Sequence, residues 1–120
     1  MQITDSDKLF IENVDHFRDL GASLGMNSIW DIHVGAGKQT ADDLILDDQQ
    51  YKVTYTYIDS MGSTMDDVTW ATVSMFAPSG SVKDLWFAAD SCIKQSGTHH
   101  SYIEDFDIQE DGSLALVTGS

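Results

Sequence analysis

Asp31 and His33 stand two residues apart in segment 28–34, Ser-Ile-Trp-Asp-Ile-His-Val, whose apolar and polar residues alternate. In an extended strand, residues i and i+2 project from the same face. The pair therefore has the spacing of an acid/base dyad or of two metal ligands. Either role requires a third group, such as Glu104 or Asp105, supplied by the fold. Adjacent His99 and His100 point to opposite faces if they lie in a strand, so they cannot share one ion without a turn. The competing reading of these histidines is structural, as surface or packed imidazoles.

Two other stretches resemble known chemistry only in part. Gly35-Ala36-Gly37-Lys38-Gln39-Thr40 follows a strand-like segment, as a phosphate-binding loop does. That pattern needs Gly where the chain has Ile32, and Ser or Thr where it has Gln39, so the segment reads as a turn. Residues 107–118 carry Asp107, Gln109 and Asp111 at alternate positions before Gly112, as a calcium loop would. The closing bidentate Glu is replaced by Thr118 and both flanks read as strands, which favours a hairpin turn. No Gly-x-Ser-x-Gly nucleophile elbow occurs. Cys92 is the single cysteine, which excludes an internal disulfide and a multi-cysteine zinc site, and it reads as a small packed hydrophobe. No cofactor or metal is expected.

The elements that must position these residues read most clearly in the second half. Residues 68–77 form a strand, Pro78-Ser79-Gly80 a turn, and residues 81–95 a helix. Val82, Leu85, Trp86, Ala89 and Ile93 fall on one stripe. Ser81 and Asp84 make a capping-box-like start, and Lys94 with Gly97 a helix end. Residues 4–24 read as a first helix with Phe10, Val14, Phe17 and Leu24 on one side, Leu20 near it, and a weak last turn at Gly21. Residues 44–46 read as a short strand and 51–58 as a strong one, with Tyr51, Val53, Tyr55 and Tyr57 on one face, either core or aromatic surface. Residues 59–67 form a polar loop. Residues 99–109 are strand-like, with alternation that slips at Glu104-Asp105, implying a bulge or an exposed edge. A turn at Asp111-Gly112 leads to a last strand at 114–117. Trp30, Trp70 and Trp86 are expected in the core. Together these imply one α+β domain over 1–120, an antiparallel sheet of about five strands with two helices on one face.

Charge bounds the partners. Twenty acidic residues, seventeen of them Asp, face six basic ones, a formal net charge of −14. Such a field repels nucleic acid and anionic membranes and attracts basic protein surfaces. Hydrophobic content of 42% with 10% aromatics fits a folded globule. No apolar run approaches a membrane span and no signal pattern opens the chain, so the expected location is the cytoplasm of a cell or of an infected host.

The acidic clusters are Asp42-Asp43, Asp47-Asp48, Asp66-Asp67 and the group Glu104, Asp105, Asp107, Glu110 and Asp111. Each alone reads as solvated turn chemistry. Jointly they would imitate part of a duplex, which carries a charge for about every 1.7 Å of axis. The favoured expectation is a non-enzymatic acidic protein that binds a basic protein surface, in one form a virus-encoded inhibitor that mimics nucleic acid. One alternative is a small enzyme or ligand-binding domain with an Asp31/His33 pocket. Another is a subunit of a larger, viral or homo-oligomeric, assembly joined through the edge near 99–109.

Overall fold

The computed structural model describes residues 5–30, 40–60, 69–97 and 102–119. The elements in order are α1 (Asp5–Leu24), β1 (Ile29–Trp30), β2 (Tyr51–Ser60), β3 (Thr69–Ala77), α2 (Val82–Ser96), β4 (Tyr102–Ile108) and β5 (Leu114–Gly119). The architecture is α+β.

α2 is determined locally. The Ser81 hydroxyl accepts the Asp84 N–H at 3.3 Å, and Gly97, at φ 69°, closes the C-terminus by donating to Ile93 and Lys94. The Asp84 carboxylate does not return to the Ser81 amide as in a capping box. It accepts from the Ser79 hydroxyl at 2.7 Å, while the Ser81 N–H donates to that same hydroxyl. Val82, Leu85, Trp86 and Ala89 are fully buried and Ile93 nearly so, which makes the apolar stripe the centre of the core. α1 ends at a left-handed glycine. Gly25 takes φ 74°, and the Met26 N–H reaches back to the Gly21 carbonyl at 2.9 Å.

The sheet has the order β1-β4-β5-β2-β3. β2–β3 and β4–β5 are antiparallel hairpin pairs, but β1–β4 and β2–β5 are parallel. The sheet is therefore mixed, which corrects the antiparallel expectation. The reason lies in α2. A strand–helix–strand crossover returns the chain to the end it started from, so β4 runs parallel to β3, and β5 then meets β2 in parallel. The slip at Glu104-Asp105 is a bulge: Ile103 pairs with Thr118 and Asp105 with Val117. Residues 44–46 add no strand to this sheet; Leu44 makes a single bridge to Ser81.

Both helices cover one face. Tyr51, Val53 and Tyr55 of β2, Ala77 of β3, Ile103 of β4, and Leu114 and Leu116 of β5 are buried in one core with the apolar stripe of α2 and Phe17 of α1. The tyrosine strand is thus core. Trp30 and Trp86 meet at 5.4 Å between ring centroids, and Phe106 lies 6.0 Å from Trp30. Trp70 departs from the expectation of burial: it is 61% exposed on the other sheet face. Period two sorted it from its neighbours but not toward the helices.

Candidate functional site: an acidic pole

Segment 40–50 is strapped across the start of α2. Gly80 accepts from the Ile45 and Leu46 amides at 2.9 and 3.2 Å, and the Val82 and Lys83 amides donate to the Asp43 and Ala41 carbonyls at 2.9 and 3.0 Å. These bonds, with the Ser81 cap, satisfy the first-turn donors that would otherwise attract an anion. A side chain at Gly80 would collide with backbone, since its Cβ would stand 2.5 Å from the Leu46 carbonyl oxygen.

The strap delivers Asp47 and Asp48 to the start of β2. β2 runs parallel to β5, so the same end of the sheet carries the β4–β5 turn. Gln109 and Ser113 close that turn through a 2.8 Å backbone bond, with Gly112 at φ 85°. Together the strap and the turn form an open cleft of about 670 Å³ lined by Leu44, Asp47, Asp48, Tyr51, Ile108 and Gly112, among others. Leu44 is 53% and Ile108 68% exposed, so the cleft joins apolar surface to carboxylates.

The carboxylates at this pole are not equivalent. Asp42 is bound to Lys83 at 2.8 Å, and that contact raises the lysine's pKa. Asp43 accepts the Thr40 amide at 2.7 Å. Asp111 accepts both the amide and the hydroxyl of Ser113, at 2.9 and 2.6 Å, and these bonds lower its pKa. These three shape the local chain. Asp47 and Asp48 are exposed and line the cleft. Residues 107–118 are a hairpin, and among the described residues no group of three or more His, Cys, Asp or Glu is placed to hold a metal ion.

Of the remaining candidates, Glu104 lies against Gly119, while Asp105 and Asp107 are exposed on β4, opposite Val117 and Ala115. Asp66, Asp67, Asp31, His33, His99 and His100 lie outside the described residues, as does the 35–39 loop. The strand ends that flank 61–68, Ser60 and Thr69, pair at the opposite end of the sheet from Tyr51 and Ala77. The pole thus gathers 42–48 with the 109–113 turn. Trp30 is buried and its indole N–H has no acceptor among the described residues.

One buried carboxylate lies outside the acidic clusters of the sequence. Asp90 is 3% exposed and accepts from the Asn27 amide, the Ser28 amide and the Ser28 hydroxyl at 2.9, 2.8 and 2.7 Å, with Lys94 at 3.0 Å. Burial alone would raise its pKa. The hydrogen bonds from Ser28, Lys94 and Asn27 outweigh that and hold it below the ordinary value. The available signal was its position four residues after Trp86, on the buried side of the helix. Its work is structural.

Comparison with known protein families, with curated proteins and with solved structures returns no match.

Proposed function

We propose that this chain is a non-enzymatic acidic interaction protein that binds a basic surface of a partner protein through the pole formed by residues 40–50 and the β4–β5 turn. The observation that carries the reading is the cleft itself. It sets the exposed carboxylates Asp47 and Asp48 beside the exposed side chains of Leu44 and Ile108. Apolar anchors surrounded by charge supply affinity and steering together. The −14 field adds long-range attraction for a basic partner. A concrete form of this activity is inhibition of a nucleic-acid-binding protein by occupying its basic surface.

The test is a tagged pull-down from cell lysate, comparing the native chain with an Asp47→Asn/Asp48→Asn variant and washing at low and then high salt. A basic protein retained by the native chain, lost from the variant and released by salt supports the reading. Displacement of that protein by duplex DNA identifies it as nucleic-acid-binding. Equal recovery by both forms, or no basic protein at either salt, removes the pole from the account.

A further inference from the structure

On the face of the sheet opposite the helices the described residues form an ordered pattern. Directly paired residues share a face, so the pairings define cross-strand rows. Ser74, Thr54, Ala115 and Asp107 make one row, from β3 through β2 and β5 to β4. Two residues further along each strand come Thr72 and Thr56, with Val117 paired to Asp105. Beyond these rows, Trp70 pairs with Ile58 at one end and Phe76 with Lys52 at the other. Trp70, Phe76 and Ile58 are 61%, 59% and 43% exposed. The face therefore carries Trp70 and Phe76 at the two ends of β3 with Thr72 and Ser74 between them, Thr, Ala and Val across β2 and β5, and the carboxylates of Asp105 and Asp107 on β4.

We infer that this face is a docking surface for a single amphipathic helix of a basic partner protein. It rests on the same acidic field as the function proposed above but uses a different surface. Size selects a helix. Three strand spacings of about 4.8 Å put β3 and β4 about 14 Å apart, and a helix with its side chains is about 10–12 Å wide. Six residues of strand between Trp70 and Phe76 span about 20 Å, the length of about 14 helical residues. That footprint is well below the roughly 800 Å² per partner of a globular interface. Charge selects the sign. Asp105 and Asp107 are both exposed, and Lys52 stands at the Phe76 end of the face. A second copy of this chain would bring another −14 to the same face, which opposes self-pairing. The fitting helix carries an apolar stripe against Trp70, Ile58 and Phe76 and a Lys/Arg stripe against Asp105 and Asp107.

The experiment titrates the whole isotope-labelled chain with a designed leucine/lysine helical peptide of about 14 residues, followed by amide NMR shifts. The expected result is saturable binding that shifts Thr54, Thr56, Thr72, Ser74, Ala115 and Val117. Trp70→Ala or Phe76→Ala should weaken it at least about tenfold, and Trp70→Tyr should restore most of it. Asp105→Asn with Asp107→Asn should weaken it about threefold or more and flatten its salt dependence. A peptide with glutamate in place of lysine should not bind. Shifts confined to Leu44, Asp47, Asp48 and Ile108, unchanged affinity in Trp70→Ala, or equal binding of the glutamate peptide each overturns the inference. The pull-down reads the pole through Asp47 and Asp48, whereas this titration reads the face through Trp70 and Phe76, so either proposal can fail alone.

Discussion

Asp90 and Ser28, sixty-two residues apart in sequence, are joined twice through one carboxylate oxygen, which accepts both the amide and the hydroxyl of the serine. The Ser28 hydroxyl in turn accepts the Trp86 indole N–H at 3.1 Å. This chain of bonds fastens the start of β1 to the middle of α2, and with it the turn that follows α1. Removing the carboxylate by Asp90→Ala should cost about 2–4 kcal/mol, because the amides of Asn27 and Ser28 would be left without their acceptor. Asp90→Asn keeps an acceptor but turns a donor toward Lys94 or a serine proton, and should cost about half as much. Urea unfolding at neutral pH measures both.

The same carboxylate predicts a pH dependence. Its folded pKa is depressed, so its contribution is complete above the unfolded value of about 4 and is lost as pH falls through the lower folded value. The stability gap between the native chain and Asp90→Asn should therefore be constant from neutral pH down to about 5 and close in stronger acid. A gap that widens in acid would show that the depression is absent.

Gly21 permits close packing of the helices. A Cβ there would stand 2.8 Å from the Trp86 ring, so the weak helix former in the last turn of α1 marks where the two helices touch. Gly21→Ala should destabilise by about 1–3 kcal/mol despite its better helix propensity. Combining it with Trp86→Phe should cost less than the sum of the two single changes, a coupling that a double-mutant cycle in urea resolves.

Gly80→Ala tests the strap. Its methyl would meet the Leu46 and Asp47 carbonyl oxygens, backbone atoms that cannot rotate away. The expected loss is about 2–3 kcal/mol. Hydrogen exchange should accelerate selectively at the Ile45, Leu46, Val82 and Lys83 amides, which hold segment 40–50 in place. Partner binding through Asp47 and Asp48 should weaken in parallel.

Cys92 should be chemically silent in the folded chain. It is fully buried beneath β2, and burial pushes its thiol pKa up to about 11. Labelling by a thiol reagent at pH near 8 should proceed only as fast as the chain opens, and at the unfolded rate in urea. Fast native labelling would place the thiol at the surface.

Local structure follows from short-range patterns in the chain. Helix α2 with both its caps, the long strand from Tyr51, the bulge at Glu104-Asp105 and the final hairpin follow from periodicity and turn chemistry acting over a few residues. Net charge is likewise a property of composition. Tertiary structure decided whatever depends on which surfaces meet. Period two separates Tyr51, Val53 and Tyr55 from Thr54 and Thr56, and Trp70 from Ala71, without saying which side the helices cover. Only packing buried the tyrosines and left Trp70 and Phe76 open. Parallel pairing of β2 with β5 arose because α2 carries the chain back across the sheet. That crossover brings Asp47 and Asp48 beside Ile108, and helix packing places Asp90 inside the protein, two juxtapositions that no local spacing encodes.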